Sequence, residues 1–189
     1  PQSSSGKTVM TTEPKFIPDE AVSITIDDSA NLKVKMIDCV GFIVPEAIGY
    51  IENGQPRMVH TPWNDEPIPF DMAAETGTKK VITDHCTIGM LVTCDGSFGE
   101  LKRENYEQAE ERTVNELKAM NKPFVIILNS AAPNSNQSID LAVSLEEKYS
   151  APVALITCLE LNAEDIKQIL KLVLLEFPVS EISVNVSEY

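Results

Sequence analysis

The sequence predicts an α/β fold: a three-layer sandwich built on a mostly parallel sheet, with an antiparallel edge hairpin. Three observations carry this. Short, nearly continuous apolar runs recur at 87–94, Phe124–Asn129 and 153–158, as strands buried on both faces require. Segments of helical period alternate with them, which specifies parallel strands joined by crossovers. Two further runs, 21–26 and 32–37, flank the turn-rich Asp27-Asp28-Ser29-Ala30-Asn31, the pattern of an antiparallel hairpin.

After the hairpin, residues 42–70 carry Pro45, Pro56, Pro62, Pro67 and Pro69 with Gly49 and Gly54. Such punctuation forbids regular elements of any length. A loop this long in a compact domain is uncommon and usually functional; the alternative is an insertion that only packs over the sheet edge. Trp63, the one tryptophan, sits among three of these prolines, a rigid apolar surface suited to a neighbouring subunit or to the sheet edge.

A helix is expected over 71–84. The next, 104–120, places Ala109, Val114, Leu117 and Met120 as an apolar stripe among charges. Residues 138–149 set Ile139, Leu141, Ala142, Leu145 and Tyr149 at helical spacing. Asn162, with Asp165 three residues on, reads as an N-cap pair opening a helix over 163–176, and Pro178 stops it. The alternating segment 180–186 reads as a strand outside this core, so residues 1–178 form one domain and 179–189 begin the following region.

The 189 residues amount to roughly one domain. A net charge of −14 repels phosphate backbones and argues against nucleic acid as a partner. Cys39, Cys86, Cys94 and Cys158 form no CxxC pair and lie in or at the ends of apolar runs, as buried free thiols in a reducing cytoplasm would. No apolar stretch reaches 18 residues, so the chain itself is not expected to cross a membrane. It opens at Pro1 without a methionine, and a fragment of a longer protein is the expectation.

Ligands of parallel α/β sheets bind beyond the carboxyl ends of the strands. The residues there are Asp38, Cys94-Asp95, Asn129-Ser130 and Thr157-Cys158. Asp38 ends an apolar run and Gly41 follows three residues on. In such a DxxG the carboxylate can hold Mg²⁺ through water, while the glycine N–H approaches a terminal phosphate. The alternative for Asp38 is a turn cap. Thr11 and Thr12 precede the hairpin, where a loop threonine can close on Mg²⁺ and a γ-phosphate; plain strand propensity is the alternative. Gly6-Lys7-Thr8 is read as a decoy, because GxxxxGK[ST] requires a glycine where Pro1 stands. Cysteine catalysis by Cys86 with His85 or His60 is disfavoured, since neighbours on a strand point to opposite faces.

Taken together, a threonine pair, hairpin, DxxG and strands ending in Asn and in Thr-Cys resemble a translation-factor-type GTPase domain lacking its first strand, phosphate loop and first helix. The stretches GKTVMTTEPKFIP, MIDCVGF, HTPWNDEPIPF, AAETGTKKVI, TIGMLVTCDGSFG, YEQAEER, ELKAMNKPFVIILNS and LLEFPV resemble the stage IV sporulation protein A family of spore-coat morphogenetic ATPases, from about Gly6 to Val179.

That resemblance implies a P-loop GTPase-like domain, truncated at the N-terminus, that hydrolyses ATP with Mg²⁺ in the full-length protein. It implies self-assembly into a homopolymer with other spore-coat proteins, in the mother-cell cytoplasm at the outer forespore membrane surface, held there peripherally through a partner. By resemblance, Thr11 and Thr12 sense the γ-phosphate, Thr12 and Asp38 hold Mg²⁺, and Gly41 is the glycine of the second switch. Asn129-Ser130 takes the place of the GTPases' NKxD, beside Thr157 and Cys158 as further nucleotide contacts. The family's phosphate loop is expected before Pro1, so no nucleotide is expected on this fragment alone. Where NKxD has Asp this chain has Ala132, so a buried guanine donor would go unpaired at about 1–3 kcal/mol each. The competing class is a nucleotide-independent interaction module with a degenerate site.

Overall fold

The computed structural model describes residues 15–27 and 30–177. Gly6-Lys7-Thr8, Thr11, Thr12 and the expected strand at 180–186 lie outside the described residues.

Strands β1 (Lys15–Asp27) and β2 (Ala30–Asp38) pair antiparallel, longer than their apolar runs foretell. Their register slips between Ile17, opposite Met36, and Val22, opposite Val34. Pro18, which has no N–H to give a ladder, falls inside that irregularity. The stretch expected to be irregular instead folds into two short hairpins. β3 (Ile51–Glu52) meets β4 (Gln55–Pro56) across Asn53 and Gly54, both at positive φ, as a two-residue I′ turn demands. β5 (Met58–Thr61) meets β6 (Asn64–Pro69). Each strand is short enough for the prolines to stand at its end or edge.

α1 (Phe70–Lys80) runs into a π turn over Val81–His85. The parallel sheet follows: β7 (Gly89–Cys94), β8 (Phe124–Asn129) and β9 (Val153–Ile156), in that spatial order. α2 (Arg103–Ala119), α3 (Asn136–Tyr149) and α4 (Ala163–Leu175) complete the alternation. Asn162 accepts from the Glu164 and Asp165 amides while Asp165 accepts from the Asn162 amide, the capping box its spacing announces.

Two expectations about the sheet are corrected. The β1–β2 hairpin forms its own two-stranded sheet and is not an edge of the parallel one. Six of the nine described strands lie in antiparallel pairs, so the strands are not mostly parallel. The physical reason is an interruption: among the described residues β2 pairs only with β1 and β7 only with β8, and no described strand bridges them.

Around β7–β9 the layering holds. Val114 and Leu117 of α2 and Leu145 and Tyr149 of α3 cover Leu91, Ile126 and Leu128. Ile169 of α4 covers Ile127 and Ala154 on the other face. Gly89 admits α2 closely, since a Cβ there would stand 2.9 Å from the Leu117 methyls. On the α4 side no described helix covers β7: Val92 is 62% exposed and Met90 also lies open, although their register partners Ile127 and Val125 are buried. Among the described residues no helix is long and apolar enough to cross a membrane.

Candidate nucleotide site at the strand ends

The carboxyl ends of β7, β8 and β9 are braided together. The Ser130 amide donates to Ile156 O at 2.9 Å and the Asp95 amide to Asn129 O at 3.2 Å. Thr157 Oγ1 donates to Ser130 O at 2.7 Å, and the Cys158 amide donates to Asn129 Oδ1 at 2.8 Å. With Oδ1 taken by that donor, the side-chain NH₂ is what Asn129 can readily offer a ligand.

Ser130 is fully buried. Its Oγ lies 3.0 Å from Ser138 Oγ and accepts from the Ala132 amide at 3.0 Å. Ser138 Oγ donates to Asp95 Oδ2 at 3.2 Å, while Asp95 Oδ1 accepts from both the amide and the hydroxyl of Ser97. Ser97 Oγ in turn accepts from the Ala131 amide at 2.8 Å. Burial pushes the Asp95 carboxyl up, but the hydrogen bonds from Ser130, Ser97 and Ser138 outweigh it and hold the group below the ordinary aspartate range. The loops after β7 and β8 are thus tied through one carboxylate.

Beneath them, Glu110 of α2 is buried and takes the two terminal guanidinium nitrogens of Arg103 and the Thr93 hydroxyl. Gly96, at φ +86°, passes so close under the start of α2 that a Cβ would meet the Arg103 amide nitrogen at 2.7 Å. The turn can be made there only without a side chain.

The rim is small and apolar. Ala131 and Ala132 are exposed, and Leu159, on the 3₁₀ turn Cys158–Glu160, is 81% exposed. Burial pushes the Cys158 thiol up, with Cys94 adding to the shift, so this thiol is no reactive nucleophile. Sequence reasoning named Asn129, Ser130, Thr157 and Cys158, and the structure brings all four together. It missed Leu159, Ser97 and Ser138; the recurrence of serine at 130, 135 and 138 beside a strand end was the available signal for Ser138.

Asp38 and Gly41 stand on a different support. Asp38 is exposed at the end of β2, and Gly41 has φ +79° with open space where a Cβ would sit. Burial pushes the Cys39 thiol between them up; the Gly41 amide offsets part of that, and the neighbouring Asp38 carboxylate adds to the rise. His85 meets the Phe16 ring edge-on at 5.7 Å, and burial pushes the Cys86 thiol up, which leaves that pair unsuited to nucleophilic chemistry. Cys86 follows the π turn rather than lying on a strand.

Comparison with known proteins adds the lineage. Residues 1–178 match the family described as "Stage IV sporulation protein A, ATPase domain". Over all 189 residues the chain is 48% identical to "Stage IV sporulation protein A" of Bacillus anthracis, 48% to that of Clostridioides difficile (strain 630) and 44% to that of Bacillus subtilis (strain 168). It spans 38% of the length of each of these relatives. No solved structure matches it. The chain therefore belongs to the stage IV sporulation protein A ATPase-domain family.

Proposed function

We propose that the full-length protein carrying this chain hydrolyses ATP with Mg²⁺ during sporulation, and that the β7–β9 strand ends form its base-binding side. The observation that carries this is the Asn129 side chain, whose Oδ1 is taken by the Cys158 amide, leaving its NH₂ as the donor it can give a ligand. A purine ring nitrogen is an acceptor of the matching kind, and the apolar Leu159 can lie against a purine face. Ala132 supplies no acceptor for guanine donors, which favours adenine.

On the phosphate side, Asp38, exposed at the end of β2, would help hold Mg²⁺, with Thr12 as a second ligand. When bound, that ion neutralises charge on the phosphates. Gly41, at positive φ with open space where a Cβ would sit, lets a phosphate approach the backbone closely. The bare edge of β7 and its uncovered Val92 and Met90 fit a strand and helix from the rest of the protein, which would join the two sheets into one P-loop NTPase-like sheet.

At the level of the cell, we propose a scaffold that polymerises with itself and with other coat proteins, as the resemblance of its motifs implies. We place it in the mother-cell cytoplasm on the outer forespore membrane, attached through a partner. The test is nucleotide turnover by the full-length protein with Mg·ATP and Mg·GTP. Turnover should favour ATP, and Ala132→Asp should move kcat/KM toward GTP. Absence of turnover with either nucleotide would favour the interaction-module reading instead.

A further inference from the structure

Resting on the nucleotide reading above, we infer that Arg112 is a positioning residue for the 38–41 turn, acting through Phe42. Gly41 makes its turn where a Cβ would meet nothing within 4 Å, so packing at Gly41 does not fix its position. The next residue does. Phe42 is 6% exposed, and the Arg112 guanidinium lies over its ring, 4.4 Å from the centroid, within the range of an attractive cation–π contact.

Arg112 is itself held. It pairs with Glu75 of α1; Glu75 takes Lys79 Nζ at 3.2 Å, and Lys79 reaches Glu116 of α2 at 3.3 Å. Glu75 and Lys79 are one turn apart on α1, as are Arg112 and Glu116 on α2, so the four charges link the two helices in alternating sign. Isolated surface pairs contribute little, but a network with one member stacked on a buried ring restricts that member's geometry. The switch glycine is thereby referenced to α1 and α2, the helices before and after β7 in the chain, and not to the hairpin from which it departs.

The test is steady-state Mg·ATP hydrolysis by the full-length protein carrying Arg112→Gln, Phe42→Leu, or both. Each single variant should lower kcat about five-fold or more while KM stays within about two-fold, because positioning acts on the chemical step and not on base binding. The double variant should fall no further than the weaker single one, since both remove one contact. A wild-type kcat in Arg112→Gln, or kcat and KM changing in step with a lowered thermal midpoint, overturns the inference. If Arg112→Gln does not fold, Phe42→Leu decides by the same criteria. No turnover by the wild-type protein would instead refute the ATPase reading itself.

Discussion

The Cys158 amide donates to Asn129 Oδ1 at 2.8 Å, so the last side chain of β8 is fixed by the first residue of the turn after β9. One hydrogen bond thus does two things: it ties adjacent strand ends and orients an amide toward donor chemistry.

These roles separate in Asn129→Asp. The carboxylate still accepts from Cys158, so folding should be retained, but the NH₂ donor becomes an anion. KM for ATP in the full-length protein should rise about tenfold, the worth of one hydrogen bond. Unchanged KM with unchanged folding would remove Asn129 from the base site.

Asp95 makes a pH prediction. Its carboxyl is held below the ordinary value of 3.8, so its hydrogen bonds stabilise the fold fully above that pH and fade as pH falls through the lower folded value. Asp95→Asn should lower the thermal midpoint near neutrality by about 2–4 °C. The gap between variant and wild type should close below pH 3.8. A gap that persisted in acid would mean that the charge is not what Ser97 and Ser138 recognise.

Glu110 is buried with Arg103 and Thr93 as partners. Glu110→Gln leaves a largely buried guanidinium without its counter-charge, which costs about 3 kcal/mol. Hydrogen exchange of the β7 amides should accelerate roughly 100-fold if they open with the fold. Wild-type exchange rates would show that solvent reaches Arg103 and replaces the lost partner.

How much of this could be read from the chain differs by element. The β7–β9 strands and the helices α2 and α3 followed from apolar period, because core burial imposes that pattern, and α4 followed from its capping pair. The two short hairpins did not. Asn53-Gly54 is a strong I′ signal, but the surrounding prolines argue against strands of ordinary length, whereas short edge strands accommodate them. The separate sheets also escaped, since sequence shows which segments are strands and not which edges meet. Within the site, Asn129, Thr157 and Cys158 were legible from their strand-end positions. Ser130 was expected beside a nucleotide; its full burial and its bonds to Ser138 and Ala132 are consequences of tertiary packing. A lysine introduced at position 130 would break that packing, so base preference is best probed at the exposed Ala132 alone.

The central claim, that Asp38 serves Mg·ATP hydrolysis, is tested most directly by comparing ATP turnover of the full-length protein with its Asp38→Ala variant. Asp38 is exposed, so the variant's stability should stay within about 0.5 kcal/mol of wild type. Turnover should nevertheless fall about tenfold or more, because a carboxylate that helps hold Mg²⁺ acts on the transition state. Equal turnover by variant and wild type would contradict the account and leave Asp38 as a turn cap at the end of β2.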